Sequence, residues 1–321
     1  MSHHIIDFNN VHYTYPDGTE ALKGISFRIT HGESVGVVGA NGAGKSTMIS
    51  HMNGYLMPSS GTITIGDSKL DKTTLHEARR SVGIVFQNPD DQLFMPTVFD
   101  DVAFGPLNLG LPKDKVIERV NEALTTTGCF HLKDKPPHHL SLGQKRAVTI
   151  AGVIAMHPDI LVMDEPASNL DPGSRRNLID LLLQFRHSKI IASHDLDLIL
   201  DVCDRCIVIG DGRIRADGPA REILLNEELL RENNLELPLS FQKREHKNKL
   251  NSTGGNMTEL EKLKHLLKHW MEHNEAHMKT YTEWAEKADG LDRKDISDIL
   301  RQIVEDSNKL NGLFRKAEEI I

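Results

Sequence analysis

Gly39-Ala40-Asn41-Gly42-Ala43-Gly44-Lys45-Ser46 is the stretch on which the fold of this chain turns. It has the spacing G-x4-G-K-[ST] and lies between the β-rich run Ser34–Val38 and a predicted helix. Glycines at these positions let the backbone curl so that successive N–H groups surround phosphate oxygens. The helix that follows adds the positive end of its dipole. In such a loop Lys45 reaches the β- and γ-phosphates, and the Ser46 hydroxyl ligates Mg²⁺.

Outward from the loop, short apolar runs at Val82–Phe86, Ile160–Met163 and Lys189–Ala192 suit buried strands. They alternate with helical stretches from Ile5 to about Leu239, which predicts an α/β domain with a largely parallel sheet. Ile160–Met163 ends in Asp164-Glu165. Two acids delivered at the carboxyl end of a buried strand are costly unless they serve a cation or chemistry. Asp164 suits the Mg²⁺ shell, and Glu165 suits polarising an attacking water. Gln87 follows one strand and His194 another, while Leu140-Ser141-Leu142-Gly143-Gln144 precedes a helix.

Composition bounds the possibilities. The 321 residues carry a net charge of −8, 39% hydrophobic and 26% charged residues, which describes about two soluble globular domains. No window reaches the roughly 18 consecutive apolar residues of a spanning helix. Met1-Ser2-His3-His4 runs directly into a strand-like segment, with no resemblance to a secretory signal. The acidic balance argues against nucleic acid as a partner. Three cysteines make no disulfide framework, and the chain reads as cytosolic. Cys203 and Cys206 form a lone C-x-x-C, read as structural together with Cys129.

The order of the phosphate loop, Gln87, the Leu-Ser-x-Gly-Gln signature, Asp164-Glu165, Ser168-Asn169-Leu170-Asp171 and His194 resembles the nucleotide-binding subunit of ABC transporters. The resemblance implies a phosphate-loop, RecA-like ABC ATPase fold with a helical subdomain. It also implies an ATP sandwich in which the loop of one protomer faces Ser141, Gly143 and Gln144 of another. It assigns ATP binding to Gly39, Asn41, Gly42, Gly44, Lys45, Ser46 and Thr47, and Mg²⁺ to Ser46, Gln87 and Asp164. Glu165 matches the catalytic base, His194 the γ-phosphate switch, Gln87 the residue sensing Mg²⁺ or water, and Asp171 the inter-subunit loop. Tyr15 matches the aromatic residue that stacks on adenine, with Tyr13 as the other candidate. Leu142 departs from the family, standing where the signature has its first glycine.

Val85–Phe94 and Asp101–Leu109, with Pro137-His138-His139, are most similar to cobalt and nickel import ATP-binding subunits of energy-coupling-factor importers. That implies a homodimer or heterodimer of ATPase subunits on the cytoplasmic side of the membrane. It implies a transmembrane coupling subunit and a substrate-binding membrane subunit as partners, with Gln87–Leu109 and the helical subdomain as the docking surface. The alternatives are a vitamin importer of the same type, a soluble ABC ATPase without a transport role, and a metal-binding regulator with a degenerate ATPase. Soluble members usually carry a long coiled-coil insertion, but only about 50 residues separate Gln87 from Ser141. Intact Lys45, Asp164, Glu165 and His194 argue against degeneration.

The chain is expected to divide into an ATP-binding domain over 1–242, a charged and then small-residue linker over 243–255, and an all-α domain over 256–321. Two helices are predicted there, roughly 258–288 and 292–320, broken at Asp289-Gly290. His265, His269, His273 and His277 recur every four residues, so each neighbours the next on the helix surface. Adjacent pairs suit Ni²⁺ or Co²⁺, completed by Glu261, Glu272 or a group from elsewhere. The other reading is a helical hairpin or oligomerisation module with solvated histidines.

Overall fold

A computed structural model describes residues 4–185, 187–242, 259–291 and 293–320. The chain divides after Gln242 into two compact units.

The first unit contains two sheets. β1 (His4–Thr14), β2 (Glu20–Thr30), β4 (Ser60–Ile65) and β5 (Ser68–Lys69) form an antiparallel sheet in the order β2-β1-β4-β5. β3 (Ser34–Val38), β6 (Val82–Val85), β7 (Ile160–Asp164), β8 (Ser188–Ala192), β9 (Arg205–Gly210) and β10 (Arg213–Pro219) form a second sheet. Its order is β10-β9-β3-β8-β7-β6, parallel except at the β9-β10 pair. All the strands expected from apolar runs lie in this sheet. The antiparallel sheet is additional. Its strands interleave Asn9, His12, Lys23 and Arg28 with core residues such as Phe8 and Ile25, so no continuous apolar run marks them.

Alternation sets the layers. Val35 and Val37 of β3, Ile160 and Val162 of β7, and Ile190 of β8 face a core shared with Ile6, Phe8 and Ile29 of the antiparallel sheet. Val38, Leu161, Met163 and Ile191 face the opposite side. They pack against α6 (Pro172–Gln184), α7 (Leu196–Val202) and α8 (Ala220–Leu224), while α1 (Lys45–His51) buries Met48 and Ile49 in the first core. A third core belongs to a helical subdomain of α3 (Val98–Asn108), α4 (Lys113–Thr126) and α5 (Leu142–Ile154), through Val102, Val120, Leu124 and Val148. α2 (Leu75–Ser81) and α9 (Glu227–Glu232) complete the unit. Cys129, Cys203 and Cys206 are buried and free; burial pushes the thiols up, Cys206 to about 12.

The second unit is a pair of packed helices, α10 (Glu259–Gly290) and α11 (Lys294–Ile320). α10 runs through Gly290, and the turn falls at Leu291, where the Arg293 N–H donates to the Ala288 carbonyl (2.9 Å). The break is thus carried by this backbone closure just beyond the Asp-Gly pair. Leu267, Met271, Ala285 and Ala288 of α10 are buried, as are Ser297 and Asn311 of α11. Asn274 Nδ2 donates to Asn311 Oδ1 (2.8 Å) and to the Ser307 carbonyl (3.0 Å), which fixes the register of the two helices. Ile299, Ile303, Leu310 and Leu313 of α11 stay exposed, as do Trp270 and Trp284 of α10, while Leu300 and Phe314 are half-buried. The side chains of Glu261, His265, His269, Glu272, His273 and His277 lie outside the described residues.

Candidate functional site

In a parallel sheet the carboxyl ends of adjacent strands share one edge, and here four of them deliver the polar residues. β3 leads into the loop 39–44 and β7 ends at Asp164, while Gln87 follows β6 and His194 follows β8. Gly44 caps α1 with φ +107, a conformation in which a side chain is strained; a Cβ there would also lie 2.8 Å from the Ala21 carbonyl oxygen. Lys45 is buried, and its Nζ donates to the Gly39 (2.7 Å) and Ala40 (3.1 Å) carbonyls, which folds the ammonium into the loop.

These residues surround a cleft of about 920 Å³. Residues 39–42 and 44–47 form its floor, Tyr15 one wall, and Gln87, Glu165 and His194 another. Tyr15 reaches the cleft with its hydroxyl on Thr47 Oγ1 (2.9 Å), whereas Tyr13 packs edge-on against the buried His51 ring. Glu165 sits at φ +47, an unusual conformation for a non-glycine residue. Its Oε2 accepts from Ser193 Oγ (3.2 Å) and the His194 N–H (3.2 Å), and lies 2.7 Å from His194 Nδ1. One carboxylate oxygen is therefore tied down and the other left for a ligand.

Asp164 lies behind this wall. Burial pushes its carboxyl up, opposed by a hydrogen bond from the Ser46 side chain, while Glu165 adds to the upward push. Its Oδ1 is buried without a hydrogen-bond partner among the described residues. A buried carboxylate oxygen with no donor, beside a serine hydroxyl, is what a hard divalent cation satisfies. The residues present fit Mg²⁺.

The signature lies elsewhere. Ser141 Oγ accepts from the Gln144 N–H (3.3 Å), and Gln144 Oε1 accepts from the Ser141 N–H (3.0 Å), a reciprocal cap on α5. Ser141, Gly143 and Gln144 line a separate cavity of about 590 Å³ and do not reach the phosphate-loop cleft of their own chain. Asp171 caps α6, accepting from the Gly173 and Ser174 N–H groups and from Ser174 Oγ (2.6 Å). A Cβ on Gly143 would lie 2.3 Å from Ser174 Oγ, so the signature glycine is packed directly on α6. Ser141 and Asp171 are solvent-exposed.

Residues 22–168 match the ABC transporter family. A putative ABC transporter ATP-binding protein of Geobacter sulfurreducens is 61% identical over 242 residues, covering 75% of this chain and 97% of that protein. The energy-coupling factor transporter ATP-binding protein EcfA of Methanocaldococcus jannaschii is 48% identical over 240 residues, covering 73% and 86%. The chain belongs to the ABC transporter ATP-binding family. Among solved structures, cbiO1 from Clostridium perfringens, part of the ABC transporter complex cbiONQ, superposes with a TM-score of 0.65. It is 42% identical and the match covers 72% of this chain and 95% of that one. A dimeric ATP-binding cassette in a post-hydrolysis state with ADP and Pi gives a TM-score of 0.61 at 27% identity, covering 67% and 99%. Residues 263–321 match DUF8180, a domain of unknown function.

This ABC ATPase of the energy-coupling factor type contains site residues that sequence motifs did not single out. Arg146, buried on α5, donates from Nη1 to the Phe86 carbonyl (2.7 Å) and from Nη2 to the Gln87 carbonyl (2.5 Å). Beside it, Lys145 Nζ donates to Asp90 Oδ1 (2.6 Å). Gln92 closes the same segment by accepting from the Phe86 N–H (2.8 Å) and donating to the Ile84 carbonyl (3.0 Å). The helix that begins at the signature is therefore fastened to the loop that carries Gln87. Arg146 and Lys145 were legible only as residues after the signature; nothing in their spacing named a partner some 55 residues upstream. Among the described residues, no group of three or more His, Cys, Asp or Glu side chains is placed to hold a metal ion. No described helix is long and apolar enough to cross a membrane.

Proposed function

We propose that the chain is the ATP-hydrolysing subunit of an energy-coupling-factor type importer for cobalt or nickel ions. The observation that carries the ATPase half is the single cleft joining the phosphate loop, Gln87, Glu165 and His194, with Asp164 behind Ser46. Tyr15 stacks on the adenine. Lys45 and the loop amides bind the phosphates; Ser46, Gln87 and Asp164 would hold Mg²⁺, which when bound would supply neutralisation of phosphate charge. Glu165 takes a proton from the attacking water through the oxygen not held by Ser193 and His194. With Nδ1 engaged by Glu165, His194 keeps Nε2 for the γ-phosphate. The exposed Ser141 and the half-buried Gly143 and Gln144, remote from their own cleft, complete the site of a second ATPase subunit, with Asp171 at the contact. The likeness to a dimeric cassette supports that pairing.

The importer half rests on the likeness to EcfA and cbiO1 and on the resemblance of Val85–Phe94 and Asp101–Leu109 to cobalt and nickel ATPases. A transmembrane coupling subunit then docks on the helical subdomain, where Phe94, Phe104 and Leu107 are exposed and the two phenylalanine rings meet edge-on at 4.9 Å. This places the ATPase on the cytoplasmic face of the membrane, beside a substrate-binding membrane subunit. ATP-driven closure of the paired cassettes moves the coupling subunit, and hydrolysis resets it. Reconstituted with its membrane partners, the complex should take up Co²⁺ or Ni²⁺ only with ATP, and Lys45→Ala should abolish uptake. Uptake of a vitamin instead would overturn the substrate assignment and leave the ATPase reading standing.

The spacing of His265, His269, His273 and His277 along α10 further supports Ni²⁺ or Co²⁺ binding by adjacent pairs. Calorimetry on the full chain should register binding that disappears when all four become alanine. Absence of binding at neutral pH would leave the helices with an assembly role alone.

A further inference from the structure

We infer that the α10–α11 hairpin pairs with the hairpin of a second copy of this chain, forming a four-helix bundle that holds the two cassettes together in the absence of ATP. The inference rests on the two-subunit ATP site proposed above.

At about 100° per residue, the buried Ser297 and Asn311 and the half-buried Leu300, Val304 and Ser307 mark the seam that α11 turns to α10. The two that are fully buried are small or polar. Ile299, Ile303, Leu310 and Leu313 form a band roughly 100° to one side of that seam. On α10, Trp270 and Trp284 lie on the same side of the hairpin, as the contact of the Trp270 ring with Phe314 (centroids 5.7 Å) requires. Ile299 is 63%, Leu313 61% and Trp284 55% exposed. The opposite side is charged, and Asp289 of α10 pairs there with Arg301 of α11. Among the described side chains the hairpin is therefore two-faced, and its most exposed large apolar side chains lie away from its own seam.

Two helices give each other a single neighbour and cannot enclose such a band; four can. With the adjoining Leu291 and Ile296, the exposed apolar surface is on the order of 800 Å², about the share each partner contributes to a standard stable interface. A two-fold axis sets this face against its own copy, burying both bands at once. Pairing of the cassettes raises the effective concentration of one hairpin for the other. A lipid surface fits less well. α11 carries five basic against six acidic residues and so lacks the basic surplus that holds a helix on anionic lipid. The two acids that fall at band angles are already held, Asp295 by Arg293 Nη2 (2.7 Å) and Asp306 by Lys309 Nζ (2.8 Å) and Gln302 Nε2 (3.2 Å).

Sedimentation of the full chain without nucleotide tests the inference. The chain should be a dimer at micromolar concentration. Ile299→Glu/Ile303→Glu/Leu313→Glu should be a monomer with unchanged helix content by circular dichroism. The milder Ile299→Ser/Leu313→Ser should raise the dimer dissociation constant at least tenfold, and Asp298→Lys on the charged side should leave it unchanged. A nucleotide-free chain that is monomeric, a triple variant that stays dimeric, or monomers that pellet with phosphatidylglycerol vesicles would each overturn the hairpin pairing. The underlying reading fails separately. Glu165→Gln combined with the triple variant should dimerise on adding ATP and Mg²⁺, and if it does not, the two-subunit ATP site is wrong.

Discussion

Asp164 shows what a nucleotide site costs a fold at the scale of one side chain. Its carboxyl is driven up by burial, and one of its oxygens has no donor among the described residues. In the absence of a cation this is a penalty borne by the folded state. Asp164→Asn should therefore raise the melting temperature of the nucleotide-free protein by a few degrees while eliminating ATP hydrolysis. Calorimetry and a phosphate-release assay read the two effects separately, and equal or lower thermal stability would contradict the account. Gly143 gives the converse case. A methyl there meets Ser174 Oγ at 2.3 Å, so Gly143→Ala must push Ser174 off Asp171. Its cost should be about 1–3 kcal/mol by chemical denaturation. It should be partly relieved when Ser174→Gly is added, because the two sites share one contact.

At the scale of elements, the strands of the parallel sheet were legible because each is an unbroken apolar run, and β3 matches its expected span Ser34–Val38. The Asp164-Glu165 pair and His194 were legible because each ends such a strand. The antiparallel sheet was not, since its strands bury one face only and scatter their apolar residues. Neither was the fastening of α5 to the Gln87 loop, which depends on Arg146 meeting backbone carbonyls that carry no sequence signal. Arg146→Met leaves those carbonyls unpaired and should cost about 2–4 kcal/mol in denaturant unfolding. α6 and α7 are joined by the bidentate pair of Arg175 with Asp195 (2.7 and 3.1 Å). Burial pushes the Asp195 carboxyl up, but the Arg175 guanidinium and the Leu198 N–H outweigh it and hold it below the ordinary carboxylate range. The pair thus contributes stability at neutral pH that is lost as pH falls through the carboxylate range. Arg175→Met should lower stability at pH 7 and flatten the acid limb of the stability–pH curve. An unchanged acid limb would mean the pair contributes nothing.

At the scale of the whole molecule, the proposed reading gives the chain two incomplete halves of one catalytic centre. The phosphate-loop cleft holds Lys45, Gln87, Glu165 and His194 but none of the signature residues. The signature is capped and exposed in a different place. Motif order revealed both halves; that they do not meet within one chain required the fold. The second unit was legible as two helices from their apolar period. The separation of its buried seam from its exposed isoleucines and tryptophans was not, because period alone does not tell which face a neighbour takes. The central claim is that each ATP site is built from two chains, and ATP hydrolysis by mixed dimers tests it most directly. Lys45→Ala and Ser141→Arg should each be inactive alone, the second still binding ATP. Co-expressed and purified as a mixed dimer through two tags, they should regain hydrolysis, because one intact loop then faces one intact signature. Full activity of Ser141→Arg alone, or an inactive mixed dimer, would contradict the account.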